Sequence, residues 1–451
     1  MNRLIVKSVD ATGGKLTIDF DCIGQIKKFL RGNRFFAEYS TSIEDTPESI
    51  LVIPFLSTVC PIAWANQAEV YVETVDETFL QSLENVRLAL QRFYPRINFS
   101  SKIYVNRIVT SHVNVRTKSM MLFSGGVDSL ATYIRHQTEN PVLVAVHGSD
   151  VHVNDYEHWR AAAKNFTAFS KANRATLRTV RSNFSHLVDK LMPWIYHKEL
   201  NGDWWSRVMH GLAFLGLCAP LTYVDEIGKL YIASSYSADF HKPWGSVPEI
   251  DSSVMWTGTR CVHDGFELSR QEKMQMIAEY IKREHCRLNI RSCNTRGEGL
   301  KRSEVGNCFS NMCEKCSRTI VGLELAGLNP NNHGFDINAN TFSNIKENLK
   351  NQKWRFGDDE KYMWTDLQRH ARHAGTIPNP EAEELINWLI NVNVETIGSK
   401  ISKYQLTQLF LRTVAPSFKY LPYSIWRANR RVYEALKALT TFYKRTSYKR
   451  F

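Results

Sequence analysis

The amino-acid sequence predicts an α/β fold: a Rossmann-like parallel sheet with helices on both faces, joined to an N-terminal α+β domain and a mostly helical C-terminal region. Three observations predict it. Short apolar runs alternate with helical stretches from Ser119 onward, the rhythm of a sheet covered on both sides. A Ser124-Gly125-Gly126 turn separates the first of those runs from the first helix. The chain has 451 residues, too many for one ordinary core, and its rhythm divides it into residues 1–115, 116–330 and 331–451.

In the first segment, Leu4–Val9 and Lys15–Phe20 alternate around Ala11-Thr-Gly-Gly14, which predicts a hairpin. Val70–Glu73 and Lys102–Val109 read as further strands, and Asp76 caps a helix ending near Pro95. In the second segment, Met120–Phe123, Val142–His147, Leu177–Val180, Leu230–Ser234 and Leu288–Ile290 are short and apolar, as buried strands are. Helices are expected between them at Ser129–His136, Tyr156–Lys171, Ser206–Val224 and Ser269–Lys282. Ligands of such sheets bind beyond the carboxyl ends of the strands. The third segment is polar, aromatic and helical in pattern, and shows no catalytic motif.

Hydrophobic residues make up 43% and charged residues 23%, values that exclude a disordered or fibrous chain. The opening residues, MNRLIVKSVD, contain no long apolar stretch, so no secretory signal and a cytoplasmic location are expected. The longest apolar run, Gly211–Val224, carries Pro220 and ends against Asp225 and Glu226, which suits a buried helix rather than a membrane span. Net charge is +12, and much of the excess lies after Lys419. There Lys419, Arg427, Arg430, Arg431, Lys437, Lys444, Arg445, Lys449 and Arg450 are interleaved with Tyr420, Tyr423, Trp426, Tyr433, Phe442, Tyr443 and Tyr448, against the single acid Glu434. Such a patch is able to hold nucleic acid; the plainer reading is a solvated basic helix with its aromatics packed inward.

The chemistry of the second segment begins at Ser124-Gly-Gly-Val-Asp-Ser129. Two glycines let the backbone turn sharply and approach an anion with no Cβ in the way. The next amides are unsatisfied donors at a helix N-terminus, where the macrodipole favours negative charge. Ser124 and Ser129 can add hydroxyl donors. Asp128 would repel a phosphate, so it is read as holding the loop or a Mg2+ ion that bridges phosphates. No Lys follows the glycines, so this is not the GxxxxGK loop. The plain alternative is a bend that only caps a helix. The nucleotide-contacting set read from the turn is Phe123, Ser124, Gly125, Gly126, Val127, Asp128, Ser129 and Leu130, with His147 at the end of the second strand. Arg160 and Arg207 are weaker candidates for phosphate, and Asp239, His241, Lys242 and Asp251 lie on a long polar loop placed to line a substrate pocket.

Nine cysteines are unevenly spread. Cys293 is followed after fourteen residues by Cys308, after four more by Cys313 and after two more by Cys316. Cys313-Glu-Lys-Cys316 has a knuckle spacing, and four thiolates suit a tetrahedral, structural Zn2+. Cys286 rivals Cys293 as the fourth ligand, and the alternative is unrelated thiols beside a redox CxxC. Cys22, Cys60, Cys218 and Cys261 read as inert core thiols.

The SGGVDS segment resembles the signature of the PP-loop ATP pyrophosphatase superfamily. That resemblance implies ATP as cosubstrate, cleaved between the α- and β-phosphates with the loop gripping pyrophosphate, and an adenylated intermediate displaced by a second nucleophile. Catalytic roles would then fall to Asp128, Ser124 and Ser129. Ser269-Arg-Gln-Glu-Lys273, Ser292-Cys293, Asn307-Cys308 and Cys313 through Thr319 resemble the C-terminal part of the QueC family of 7-cyano-7-deazaguanine synthases, in which four cysteines hold zinc. The first cysteine gap is longer here, and CxxCxxC has become Cys308-x4-Cys313-x2-Cys316. The likeness covers about 119 to 325. The chain's size and flanks are similar to the extended QueC-like proteins of bacterial anti-phage systems (Qat and type IV CBASS), which implies attachment of a deazaguanine to a protein partner. The leading expectation is therefore ATP-dependent activation of a small carboxylate such as 7-carboxy-7-deazaguanine, ending in an amide or nitrile. The alternatives are an RNA-base-modifying PP-loop enzyme that uses the basic tail, and a subunit that senses nucleotide without turnover.

Overall fold

The computed structural model describes residues 2–110, 115–189, 191–293, 303, 305–308, 313–354, 356–397, 419–428 and 434. Eleven strands form one sheet: β1 (Arg3–Thr12), β2 (Lys15–Ile23), β3 (Arg34–Tyr39), β4 (Glu69–Asp76), β5 (Ile103–Val109), β6 (Lys118–Leu122), β7 (Val142–His147), β8 (Leu177–Ser182), β9 (Ile227–Ala233), β10 (Met255–Trp256) and β11 (Thr259–Asp264). Their spatial order is β10-β11-β9-β6-β7-β8-β3-β2-β1-β4-β5. The run β11-β9-β6-β7-β8 is parallel throughout, as are β1-β4-β5; the pairings around β2 and β3 and the β10-β11 hairpin are antiparallel. The chain is thus α/β, with a large, mostly parallel sheet flanked by helices.

The two-residue alternation of strands sorts side chains onto two faces. Met120 and Val144 belong to one apolar core, and their neighbours Met121, Leu143 and Ala145 to the other. The first core takes in the N-terminal strands, the wholly buried helix Ile53–Ala65 and the helix His210–Leu217. The second is closed by the helices Val127–His136, Tyr156–Ala172, Arg270–Glu284 and Glu314–Leu325 and by the helical C-terminal segment. That segment runs Thr341–Lys350, Asp358–Ala371 and Pro380–Asn391, helical as expected.

Several expectations hold. The β1–β2 hairpin is present, and the Asp76 carboxylate accepts the Phe79 amide at the start of the helix Glu77–Phe93. Others need correction. Leu288 and Ile290 are buried, but their segment is not a strand: the Ile290 amide donates to His333 O at 3.0 Å and Leu288 O lies 2.8 Å from His333 Nδ1. Ser206–Val224 is helical as expected but not uniform: a π turn at Trp205–Met209 leads into His210–Leu217 and then Ala219–Val224, where Pro220 sits in the first turn. In the most apolar 18-residue window of Trp205–Val224, 78% is buried inside the fold, as in a core helix. β3 pairs with β8, which joins the N-terminal strands to the common sheet.

Of the basic tail, the described residues 419–428 dock against the N-terminal segment. The Lys28 ammonium donates to the carbonyls of Lys419 and Leu421 at 2.9 Å each, and Trp426 is buried. Arg430, Arg431, Lys437, Lys444, Arg445, Lys449 and Arg450 lie outside the described residues.

Candidate functional site

β6 delivers the chain to the loop. The Phe123 amide still bonds Val144 O at 2.8 Å, and its ring packs on Phe169 and Phe166. The backbone then reverses: Gly125 adopts φ +68°, a left-handed conformation that favours glycine. A Cβ on Gly125 would stand 3.3 Å from the Phe166 ring, and one on Gly126 would stand 3.1 Å from Arg291 O. Gly126 occupies the N-cap of the helix Val127–His136 with no side chain capping it, so no cap satisfies the first-turn amides, the donors that a helix start leaves without intrahelical partners.

Two serines behave differently. Ser124 Oγ accepts the Gly126 amide at 3.3 Å and borders the recess above the loop. Ser129 Oγ donates to Gly126 O at 3.1 Å and accepts the Ser124 amide at 3.3 Å, so its hydroxyl holds the loop together. Ser129 is buried, with its hydroxyl 3.2 Å from that of Ser124, and is not among the residues bordering the recess. Phe123 and Leu130 likewise belong to the core behind the loop.

Asp128 borders the recess and makes a 2.7 Å ion pair with Arg270, while Lys273 Nζ lies 3.7 Å from its other oxygen. Lys273 is buried and donates to Ser234 O, just past β9, at 2.7 Å. Burial draws the Lys273 ammonium below the ordinary lysine value, against the pull of Asp128. Asp128 therefore fastens the loop to the helix Arg270–Glu284 and to the next strand end.

The recess occupies about 360 Å³, including the solvent at its mouth. Its walls come from the loop, from Asp150 after β7, from Arg270, from Arg291 and Ser292, and from Lys315. Three cations thus meet two carboxylates at a helix N-terminus, an arrangement suited to an anion of several negative charges. One or two carboxylates are also what Mg2+ requires when phosphate oxygens complete its shell, and Asp128 and Asp150 both border the recess.

Behind Arg291 and Lys315 lies the cysteine cluster. The sulfurs of Cys293, Cys308, Cys313 and Cys316 all fall within 4.8 Å of one another. The Cys308–Cys313 separation is 3.4 Å and the Cys293–Cys313 separation 4.0 Å. These bracket the ~3.8 Å edge of a tetrahedron of sulfurs around Zn2+ with ~2.3 Å bonds. Four ligands and no open position make a metal here structural. Cys286 is not part of the group, which leaves Cys293 as the fourth ligand. The thiols of Cys60, Cys218 and Cys261 are buried, and burial pushes each of them up, as expected of inert core cysteines.

Other sequence candidates lie away from the recess. His147 is buried, stacked on Trp159, with Nε2 2.8 Å from His152 O. Arg160 is exposed on the helix Tyr156–Ala172. Arg207 is a core brace: it donates to Pro243 O and Asn201 O and lies over the Trp244 ring. On the long loop, Lys242 pairs with Asp358, Asp239 lies 3.6 Å from Arg369, His241 is exposed, and Asp251 is buried against His263 at 2.7 Å. Sequence reasoning missed Asp150, Arg270, Arg291, Ser292 and Lys315. A signal existed for two: Arg270 directly follows the helix cap Ser269, and Lys315 stands inside the cysteine knuckle. Comparison of the chain with protein-family models, with characterised proteins and with solved structures yields no match.

Proposed function

We propose that this chain is an ATP-using enzyme of the PP-loop kind that activates a small carboxylate by adenylation, with chemistry like that of the QueC family. The observation that carries the reading is the recess that the uncapped helix start at Gly126, Val127 and Asp128 shares with Arg270, Arg291 and Lys315. In this reading the amides and Ser124 hold the β- and γ-phosphates, and the three cations neutralise charge on the departing pyrophosphate. A substrate carboxylate oxygen attacks the α-phosphorus, the α–β bridging P–O bond breaks, and pyrophosphate leaves with the electron pair. An amine then attacks the acyl carbon and expels AMP, giving an amide. Asp128 and Asp150 would hold Mg2+, which would offset the charge on the phosphates. The carboxylate we favour is 7-carboxy-7-deazaguanine, and the acceptor is ammonia or the amine of a protein partner, in keeping with a role in antiviral defence.

The test is product analysis. Incubation with Mg2+-ATP, 7-carboxy-7-deazaguanine and ammonia should give AMP and pyrophosphate in equal amounts; ADP as the product overturns the reading. A Gly125→Ala variant supplies the residue-level check, because its side chain forces an L-residue into left-handed backbone and displaces the loop. Misplacing the phosphates by about 1 Å should lower turnover by about 10²-fold while the melting temperature moves only a few degrees. Full activity in that variant would contradict the assignment of the loop.

A further inference from the structure

The cysteine cluster and the recess share their residues. Cys313 caps the helix Glu314–Leu325, with its sulfur accepting the Cys316 amide at 3.4 Å, and Lys315 stands between these two ligands. Lys315 reaches the recess, and its carbonyl accepts from Thr319 Oγ1 at 2.8 Å and from Ser292 Oγ at 3.2 Å. On the other side, Cys293 directly follows Arg291 and Ser292, which also border the recess. The Arg291 amide donates to Gly125 O at 2.8 Å, so this segment lies against the left-handed residue of the loop. Neither strand ladder nor helix holds residues 288–293. They are anchored by His333, whose carbonyl accepts the Ile290 amide at 3.0 Å and whose Nδ1 lies 2.8 Å from Leu288 O, by the Cys293 sulfur, and by Asn307, the residue before Cys308. Its buried side chain accepts the Ser292 and Cys293 amides at 2.7 and 3.2 Å and donates to Ile290 O at 2.8 Å.

Resting on the reading of the recess as a polyphosphate site, we propose that the metal bound by Cys293, Cys308, Cys313 and Cys316 assembles that site, so that metal occupancy and polyphosphate binding are thermodynamically coupled through Arg291, Ser292 and Lys315. Two chain segments that are not secondary-structure neighbours contribute three of the recess residues, and they meet at the sulfurs and at the Ser292 hydroxyl, which lies against Lys315 O and Thr319 Oγ1. Side-chain hydrogen bonds alone hold such segments far less firmly than metal–thiolate bonds do. Coupling of this kind is reciprocal: if metal tightens polyphosphate binding by some factor, polyphosphate tightens metal binding by the same factor. Lys315 and Arg291 are placed as anion-binding residues, and the cysteines as positioning residues.

The experiment uses the full chain loaded with Co2+, whose ligand-field bands report the thiolate site. Inorganic pyrophosphate binding is measured by calorimetry, and Co2+ affinity is measured against a chromophoric chelator with and without saturating pyrophosphate. The expected result is at least ~5-fold tighter Co2+ retention in the presence of pyrophosphate, together with a shift of the bands. A Lys315→Gln variant controls for the affinity of pyrophosphate itself for the metal; it should keep the metal but lose the shift. Pyrophosphate binding that leaves both Co2+ affinity and spectrum unchanged would overturn the coupling while leaving the polyphosphate reading intact. Absence of pyrophosphate binding by the loaded protein would overturn both. The linkage is measured on the wild-type protein, so a folding defect in the variant leaves the test decisive.

Discussion

Glu324 is a carboxyl buried in the helix that begins at the cysteine knuckle, with Asn379 Nδ2 3.3 Å from its oxygen. Burial pushes its pKa up from 4.5 to about 7. The sign of the consequence follows from linkage. Between pH ~4.5 and ~7 the folded chain keeps this proton and the unfolded chain has lost it, so stability falls as pH rises through that window. At ~1.4 kcal/mol per pH unit, a shift of roughly 2.5 units sets an upper bound of about 3 kcal/mol on the penalty. Glu324→Gln keeps an acceptor for Asn379 but has no proton to lose. It should therefore stabilise the protein at pH 8 and leave it almost unchanged at pH 4.5, as read from urea midpoints at the two pH values. Equal effects at both would mean that the carboxyl is solvated. Burial likewise opposes the charge of Lys273, drawing its ammonium below the ordinary lysine value, while Asp128 sustains it.

At the scale of elements, the helix Arg270–Glu284 sets the position of the cations that face Asp128. Its N-terminus is a capping box: Ser269 Oγ accepts the Glu272 amide at 3.3 Å, and the Glu272 carboxylate accepts the Ser269 amide at 2.7 Å. Ser269→Ala should cost about 1 kcal/mol in urea unfolding. Because Arg270 is the first residue of the helix and borders the recess, the ATP binding proposed there should also weaken; a destabilised variant with unchanged affinity would separate the cap from the site. This box is legible in Ser269-Arg-Gln-Glu272, as is the Asp76 cap, because capping depends on residues three apart. The strands β6 and β7 are legible because buried parallel strands are uninterrupted apolar runs. β3 is not: its inward set is only Phe35, Ala37 and Tyr39, too short a run to stand out among polar neighbours. Leu288–Ile290 mimics a strand because apolar composition reports burial and says nothing about ladder partners. The segment around Gly211 reads as one helix because a helix buried on all sides has no polar face to mark a break. The four cysteines are legible as a set by spacing, whereas the contact of Arg291 with Gly125 joins positions far apart in the chain and leaves no local pattern.

For the molecule as a whole, the consequential pairing is β3 with β8, where Ala37, Glu38 and Tyr39 lie opposite Ser182, Arg181 and Val180. The spacing of motifs suggests a boundary near residue 115, yet the sheet runs through it. Leu4, Phe20 and Phe55 share one apolar core with Val144, Val180 and Leu212, and the helix Ile53–Ala65 is buried along its whole length. A wholly buried helix has no face that tolerates water, so separating the chain at this point would expose apolar surface on both products. It would also leave β8 as an open edge of a parallel sheet. Fragments 1–115 and 116–451, made separately, should each lack a cooperative melting transition and bind a hydrophobic dye. Made together, they should reassemble into a complex that melts as one unit. A sharp independent transition in the larger fragment would show that the parallel half carries its own core. The Ser124–Ser129 loop and the cysteine cluster would then be separable from the N-terminal strands. Without such a transition, the recess depends on strands more than a hundred residues upstream, through a sheet in which every layer supports the next.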